Sequence, residues 1–226
     1  MKTHSKRYRE SEKSVDREKT YQLKEAITLI KKLVPVKFDG SVDLHFNLNV
    51  DSKKSDQMVR GTVVLPHGTG KKIRVAVFCK GEHEREANDA KADLVGGIEL
   101  IDRVAGGFLD FDCAIATPEM MKDLSKLGKV LGPRGLMPSP KTGTVTNDIK
   151  KAIDDVRKGK VEFRVDKQGG VHLSVGKVSF KEDQLYDNAS RLIEALTESR
   201  PASVKGKFVK SLSIAASMNP GLKLVI

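Results

Sequence analysis

The chain has 226 residues, with 41 Lys and Arg against 30 Asp and Glu, so its net charge is +11. Hydrophobic residues make up 38% of it, which is enough for a core and excludes a wholly disordered protein. No stretch approaches about 18 uninterrupted apolar residues, so we expect no transmembrane helix and no membrane partner. The charged start of the chain lacks an apolar stretch and predicts no secretory signal. The two isolated cysteines fit a reduced, cytoplasmic compartment.

The first part of the chain predicts a polar lead, a helix, a strand and a turn, in that order. Residues 1–19 are almost wholly polar and favour a tail or a frayed helix. Apolar residues recur at helical spacing from Leu23 to Val34, and Pro35 ends this helix. Strict alternation from Val42 to Val50 predicts a strand with one buried face. Residues 65–70 combine Pro and Gly in a turn at which a second domain can begin.

The middle of the chain, residues 68–159, alternates between strand and helix patterns. Such alternation is typical of a small α/β domain with a parallel or mixed sheet, here inserted into the rest of the chain. The predicted strands lie at 73–78, 94–95 and 113–116, and the predicted helices lie at 82–93, 98–105, 118–127 and 147–158.

The strand pattern returns after Gly159. The elements predicted there are a hairpin of 161–165 with 171–175, a helix over 185–196, and strands near 208–214 and 222–226. Each terminal segment thus offers one amphipathic helix and half-buried strands, which is too little to cover a sheet alone. We therefore expect residues 1–67 and 160–226 to form one discontinuous, two-layer α+β domain.

The positive charge is concentrated in the two terminal segments. Residues 1–67 hold 14 basic and 9 acidic side chains and residues 160–226 hold 11 and 7, whereas residues 68–159 hold 16 and 14. A surplus of this kind makes a polyanion the first partner to consider. With three Tyr, eight Phe and no Trp, the chain is poorly supplied for stacking bases. If the polyanion is RNA, contacts with its shape, phosphates and sugars should dominate.

The motifs of enzymes and metal sites are missing from the sequence. A phosphate loop needs a Gly five positions before its Gly-Lys pair and a Ser or Thr after the Lys, but Leu65 and Lys72 occupy those positions. The five histidines do not cluster, and no nucleophile elbow or zinc-binding helix motif is present. Cys79 and Cys113 lie in apolar strand patterns and are interpreted as packing residues, although a disulfide between them stays open. The sequence therefore predicts no enzyme, no metal and no cofactor.

Residues 127–145 form the most unusual run. Its three prolines and four glycines predict a compact loop with defined turns rather than a helix or strand. Such a loop is either structural or ligand-binding, and Lys129, Arg134 and Lys141 favour the binding of phosphate.

The part of this run from Leu131 to Val145 resembles the signature loop of the ribosomal protein L1 family, in its bacterial form. The resemblance extends over nearly the whole chain, including the helix that opens at Tyr21, the segment Val36–Asp39 and the hairpin up to Lys177. It implies a composite RNA-binding domain and a Rossmann-like, three-layer inserted domain. The implied partners are large-subunit rRNA at the mobile stalk, exit-site tRNA and the mRNA of the protein's own operon, with a monomer when free.

Carried over position by position, the resemblance implies a set of RNA contacts. In the composite domain these are Lys37, Phe38, Ser41, Arg164, Lys167, His172, Lys177, Ser217, Met218 and Pro220, and in the inserted domain they are Lys129, Arg134 and Lys141. The family has Thr-Met-Gly-Pro where this chain reads Ser217-Met-Asn-Pro. Because Asn is the residue that best replaces Gly at positive φ, we expect Asn219 to keep the backbone there while its bulk lowers RNA affinity.

Two of these residues have a competing interpretation. Ordinary burial habits give Phe38 to the core and make Met218 a filler of gaps in packing, whereas the resemblance makes them an apolar platform for RNA. Two other functions also stay open: an RNA-binding regulator or chaperone acting off the ribosome, and, less favoured, a nucleotide-dependent enzyme.

Overall fold

The computed structural model of the chain describes residues 5–33, 36–51, 54–204 and 206–225. The predicted helix stop at Pro35 lies outside these residues. The protein is a mixed α/β structure with several sheets, and it divides into two compact units, Met1–Gly70 with Val161–Ile226 and Lys71–Lys160. Within the described ranges, no helix combines the length and apolar character needed to span a bilayer.

The helices and strands follow one another along the chain in mixed order. They are α1 (Lys6–Lys13), α2 (Leu23–Lys32), β1 (Ser41–Leu48), β2 (Arg60–Val64), β3 (Val75–Phe78), α3 (Glu82–Asp89), β4 (Leu94–Gly96), α4 (Ile98–Ala105), β5 (Cys113–Ala116), α5 (Met121–Leu124), α6 (Gly128–Leu131), α7 (Ile149–Arg157), β6 (Lys160–Arg164), β7 (Gly170–Lys177), α8 (Glu182–Glu198), β8 (Val209–Ala216) and β9 (Leu222–Leu224).

The main sheet of the first unit has the strand order β7-β1-β8-β9, and all its pairs are antiparallel. The predicted alternation of β1 is confirmed, since Val42, Leu44, Phe46 and Leu48 are all buried. These side chains pack with apolar residues of α2 and α8 in one core. The polar residues of β1 point away from that core and leave the other face of the sheet open.

The predicted hairpin of 161–165 with 171–175 is wrong. Strand β6 pairs with β2, which the sequence analysis did not predict, while β7 pairs with β1. The chain does turn between β6 and β7, because the Asp166 N–H donates to the Gly170 carbonyl at 2.8 Å. It then enters a different sheet. Phe163 is buried on β6, which pairs with β2, whereas Val171 is buried on β7, which pairs with β1.

The second unit contains the parallel sheet β4-β3-β5. Alternate residues of β3 enter two separate apolar clusters. Ala76 and Phe78 pack with residues of α4 and α5, whereas Val75 and Val77 pack with residues of α3 and α7. Helices therefore cover both faces of this sheet.

The unusual run 127–145 is not irregular throughout. Its first residues continue the preceding helical turns into α6. The first proline of the run stands at position 133, after the end of α6, so no proline interrupts this helix. Leu131 and Thr142 are buried and anchor the two ends of the segment between them. The Ser139 backbone receives further bonds from Thr142 and Thr144.

Candidate nucleic-acid interface

The segment that leads into β1 is fixed by hydrogen bonds to the segment that follows β7. The Asp39 carboxylate accepts bonds from the Ser179 N–H at 3.1 Å and from its hydroxyl at 2.8 Å. The Val178 N–H donates to the Gly40 carbonyl at 3.0 Å. These bonds hold Asp39 and Gly40, at the end of this segment, against the segment that follows β7.

The side chains of Lys37 and Phe38 point outward from this fixed segment. Lys37 is exposed, and Phe38 has 56% of its surface exposed. Phe38 therefore does not belong to the core, and the competing interpretation of this residue is wrong.

Ser41, Lys177 and Ser217 meet at one end of the sheet. The Ser41 N–H donates to the Ser217 hydroxyl at 3.0 Å, and the Ser217 N–H donates back to the Ser41 carbonyl at 2.9 Å. Lys177 Nζ donates to the Ser41 hydroxyl at 3.0 Å. A Cβ on Gly40 would lie 3.3 Å from the Cβ of Ser217, so the two strands approach closely here.

Met218 occupies a strained position in the turn after β8. The Asn219 N–H donates to the Ala216 carbonyl at 3.0 Å, which closes a four-residue turn. Met218 is the third residue of this turn and has φ of 66°, a value that favours glycine. Its side chain is 65% exposed, so Met218 does not fill a gap in the packing.

The expectation that Asn219 takes the positive φ is wrong, because the turn places that angle one residue earlier, at Met218. The amide nitrogen and oxygen of the Asn219 side chain are both buried and have no hydrogen-bond partner among the described residues. Pro220 is also buried. The bulk of Asn219 is therefore directed into the protein rather than towards a ligand.

A second group of predicted residues lies at the other end of the sheet, around the turn before β7. The Asp166 carboxylate accepts bonds from the N–H groups of Gly170 and Gln168, both at 2.7 Å. These bonds, with a smaller effect of the neighbouring His172, hold the pKa of Asp166 below its usual value. Lys167 and Arg164 are exposed beside this turn.

His172 contacts a histidine that the sequence analysis did not place in the site. Its Nδ1 lies 3.0 Å from Nδ1 of His45, directly opposite on β1, and its Nε2 lies 3.7 Å from the Asp166 carboxylate. Burial first, and then the charge of His172, lower the pKa of His45, while Asp43 opposes this shift. Only one of the two facing nitrogens needs to carry a proton to make this contact.

The two groups are connected by the polar side of the sheet, which we call the outer face. It consists of the partly or fully exposed side chains of Ser41, Asp43, His45, Asn47, His172, Ser174, Ser211, Ser213 and Lys223. A shallow cavity of about 240 Å³ lies on this face near the turn before β7, and its lining includes His45, Asn47, Gly170, His172 and Ser213. Because six residue steps along β1 separate Ser41 from Asn47, the outer face is roughly 20 Å long.

Several outer-face residues were missed by the sequence analysis, although their signal was present. Asn47 and His45 are the polar partners in the alternation of β1, and Ser211 and Ser213 have the same relation to β8. Their strand register, which the sequence does not specify, puts them side by side: His45 lies opposite both His172 and Ser213.

The two units differ in net charge. Residues 1–70 and 161–226 carry 24 basic and 16 acidic side chains, a surplus of 8, whereas residues 71–160 carry 17 and 14. The outer face thus belongs to the more basic unit. Hydroxyls, imidazoles and cations on a preformed surface are suited to phosphate and 2′-hydroxyl groups.

The second unit presents a separate candidate surface. Lys129, Arg134 and Lys141 are all exposed on the segment that follows α5, and the anchors described above fix its shape. None of these three cations forms an ion pair with another described residue. They are therefore available to an anionic ligand.

The cysteines have the properties of packing residues. Neither Cys79 nor Cys113 forms a disulfide, and Cys79 is buried, where burial and the charges of Glu84 and Glu86 raise its thiol pKa to about 11. A thiol with that pKa stays protonated at neutral pH and is a poor nucleophile. The described ranges contain no group of three or more His, Cys, Asp or Glu side chains arranged to hold a metal ion.

Comparison with known proteins gives consistent matches. The sequence model of the ribosomal protein L1p/L10e family matches residues 26–220. The large ribosomal subunit protein uL1 of Fervidobacterium nodosum is 56% identical over 225 residues, which cover 99% of this chain and 96% of that protein. The protein of the same name from Thermosipho melanesiensis is 52% identical over 225 residues, covering 99% and 97%.

Proposed function

The chain belongs to the ribosomal protein L1p/L10e family, and on that premise we propose that it is a non-enzymatic constituent of the large ribosomal subunit that binds structured rRNA. Its relatives carry the name of a large-subunit protein. A ribosomal protein of bacteria works in the cytoplasm. The mechanism is recognition by a preformed basic surface, without chemistry on the RNA.

The composite unit, which corresponds to the predicted domain of residues 1–67 and 160–226, is the part that binds rRNA. Its surplus of positive charge and its open, hydroxyl-rich outer face support this assignment. Lys37, Phe38, Ser41, Lys177, Ser217 and Met218 form the contact at one end, and Arg164, Lys167 and His172 form the contact at the other. Pro220, which is buried, fixes the backbone rather than touching RNA.

The single observation that carries this proposal is the turn at Met218. A bulky residue held at positive φ costs about 1–3 kcal/mol and persists where the surroundings enforce it, most often at functional sites. Here the strained side chain is also 65% exposed, and the exposed Phe38 flanks the same serine contact. This arrangement adds nothing to the stability of the fold, whereas it gives the RNA-binding surface an apolar contact between its cations.

The inserted unit supplies the second activity of the family, contact with tRNA leaving the exit site. The exposed cations Lys129, Arg134 and Lys141, on a segment with anchored ends, support this role. The composite unit serves a third role, repression of the protein's own operon, because an mRNA that imitates the rRNA site meets the same surface.

The proposal is tested by replacing Met218 with glycine and measuring binding to a large-subunit rRNA fragment. Met218→Gly removes the strain and the apolar contact together. We expect affinity to fall about tenfold, equivalent to about 1.4 kcal/mol, while the free energy of unfolding changes by less than about 1 kcal/mol. Val64→Ala, which truncates another exposed apolar residue, is the matched control and should leave affinity unchanged.

The charge contacts are tested by the salt dependence of the same binding reaction. Lys37→Ala and Lys167→Ala should each lower the slope of log affinity against log salt by roughly 0.7–0.9, the value for one phosphate contact. Unchanged slopes and unchanged affinity for Met218→Gly would together refute the proposed surface. Co-sedimentation with large subunits separates a ribosomal constituent from a regulator acting elsewhere.

A further inference from the structure

A second concave feature lies beside the turn at Met218. It is a groove of about 260 Å³, which we call the N-terminal groove, and it is lined by Tyr8, Asp16, Arg17, Pro220, Gly221 and Lys223. The family match covers residues 26–220. Every lining residue except Pro220 therefore lies in the parts of the chain outside that match.

The N-terminal wall of this groove is fixed to the main sheet. The Tyr21 N–H donates to the Lys223 carbonyl at 2.8 Å, and the Val225 N–H donates to the Tyr21 carbonyl at 3.0 Å, which forms a parallel bridge next to β9. The Tyr21 hydroxyl accepts a bond from the Asp16 N–H at 3.1 Å. Val15 and Tyr21 are both buried in the core of the unit, so the segment is an integral part of the fold.

The groove continues the outer face at its edge. Lys223 is exposed between two buried residues of β9, and it lies opposite Ser213, which in turn lies opposite His45. Lys223 is thus the last member of a row that crosses the outer face. At the other end of the groove, Pro220 and Gly221 directly follow the turn of Met218.

The chemistry of the groove suits an anionic chain. Lys223 forms no ion pair with another described residue. The Arg17 guanidinium contacts Glu12, and its further N–H donors stay available. The Asp16 carboxylate is engaged by the Glu18 N–H at 2.9 Å, which reduces its repulsion of anions. Residues 5–19 as a whole contain six basic and four acidic side chains.

The size of the groove distinguishes between kinds of ligand. Sites for small molecules usually enclose about 300–1,000 Å³, and this groove is smaller and open. It fits a segment of a polymer that passes through it better than a free nucleotide.

We propose that the N-terminal groove binds the sugar–phosphate backbone of an RNA strand that continues past the turn at Met218. The inference rests on the proposed function, because it extends the surface assigned there. It assigns phosphate contacts to Arg17 and Lys223, and it makes the N-terminal segment part of the RNA interface rather than a solubilising tail.

The test uses the full chain with both cations neutralised, Arg17→Gln with Lys223→Gln, and an rRNA fragment bound at several salt concentrations. Two lost phosphate contacts should weaken binding about tenfold near 0.15 M salt and lower the salt slope by roughly 1.4–1.8. In hydroxyl-radical footprinting, the nucleotides that lose protection should adjoin those lost with Met218→Gly without coinciding with them.

The matched control, Lys24→Gln with Arg191→Gln, removes the same charge from α2 and α8, whose apolar faces pack on the opposite side of the sheet. An equal loss of affinity in this control would overturn the inference, since the effect would then be general electrostatics. Unchanged affinity and slope in the groove variant, with Met218→Gly still impaired, would refute the groove alone. If Met218→Gly and Lys37→Ala also bind normally, the proposed function and this inference both fail.

Discussion

At the scale of single residues, strain, exposure and unsatisfied polarity are concentrated at one turn. Met218 is held at positive φ, the neighbouring Asn219 has a buried amide without a partner among the described residues, and Phe38 is exposed on the segment that leads into β1. The reciprocal bonds of Ser41 and Ser217 enforce this geometry. The strained backbone and the unpaired amide therefore lower the free energy of unfolding, which is common where a surface is shaped for a ligand.

Asn188 should contribute strongly to the stability of the composite unit. It is fully buried on α8, where its amide accepts a bond from the His67 N–H at 3.0 Å and donates to the carbonyls of Gly68 at 2.9 Å and Val175 at 2.7 Å. Asn188→Ala leaves these backbone groups unpaired. We expect the free energy of unfolding, measured in urea, to fall by about 2–4 kcal/mol.

The matched control is Asn47→Ala, because Asn47 is exposed on the outer face. Its truncation should change the free energy of unfolding by no more than about 0.5 kcal/mol. Equal losses in the two variants would show that the bonds of Asn188 contribute nothing specific.

His45 should make the stability of the composite unit depend on pH near neutrality. Its pKa is lowered in the folded protein, mainly by burial and then by His172, whereas in the unfolded chain it is about 6.5. The folded state thus disfavours the proton, so stability is full above about pH 6.5 and falls as the pH drops below it. His45→Gln should lose less stability than wild type between about pH 7.5 and about pH 5.5; parallel urea-unfolding curves would contradict this.

At the scale of elements, β1 was predictable and its partners were not. Its alternation is clear because one face is buried and the other is polar. Strand β2 was missed because Gly61, Thr62 and Val64 break such an alternation. The wrong hairpin has the same origin: local pattern identifies strands, but pairing is decided by long-range packing of residues such as Phe163.

In the candidate site, too, some residues were predictable from the sequence and others were not. The resemblance to a family supplied Phe38 and Met218, which composition alone would have buried. The alternation of β8 marks Ser211 and Ser213 as solvent-facing, but it does not show which residues lie beside them. Only the register of β1 with its neighbours brings Ser213 beside His45.

The N-terminal segment provides a prediction about an element. Tyr21→Phe removes the hydroxyl that bonds Asp16 but keeps the backbone bridge to β9. We expect a loss of about 1 kcal/mol and faster hydrogen exchange of the Asp16 amide, with the Tyr21 amide still protected. Tyr186→Phe is the control, because the Tyr186 ring contacts Lys24 and its hydroxyl makes no hydrogen bond to another described residue. A loosened Tyr21 amide would mean that the segment is held by the hydroxyl alone.

At the scale of the whole molecule, the more basic unit is not continuous in sequence, because it is assembled from the two ends of the chain. A chain in which a short Gly-Ser linker replaces residues 71–160 should unfold cooperatively. It should also bind the rRNA fragment within about tenfold of wild type, with the same salt slope. The isolated segment 71–160 should bind that fragment much more weakly. A spliced chain that folds and ignores rRNA would refute the assignment of the RNA surface to the composite unit.

The central place of β1 in its sheet has a consequence for biosynthesis. Both neighbours of this strand come from the far end of the chain; Ser41 and its partner Lys177 are 136 positions apart. During translation, β1 therefore emerges long before anything it can pair with, and the segment 71–160 is finished first. A truncated nascent polypeptide cannot assemble the outer face, so only completely synthesised molecules compete for RNA.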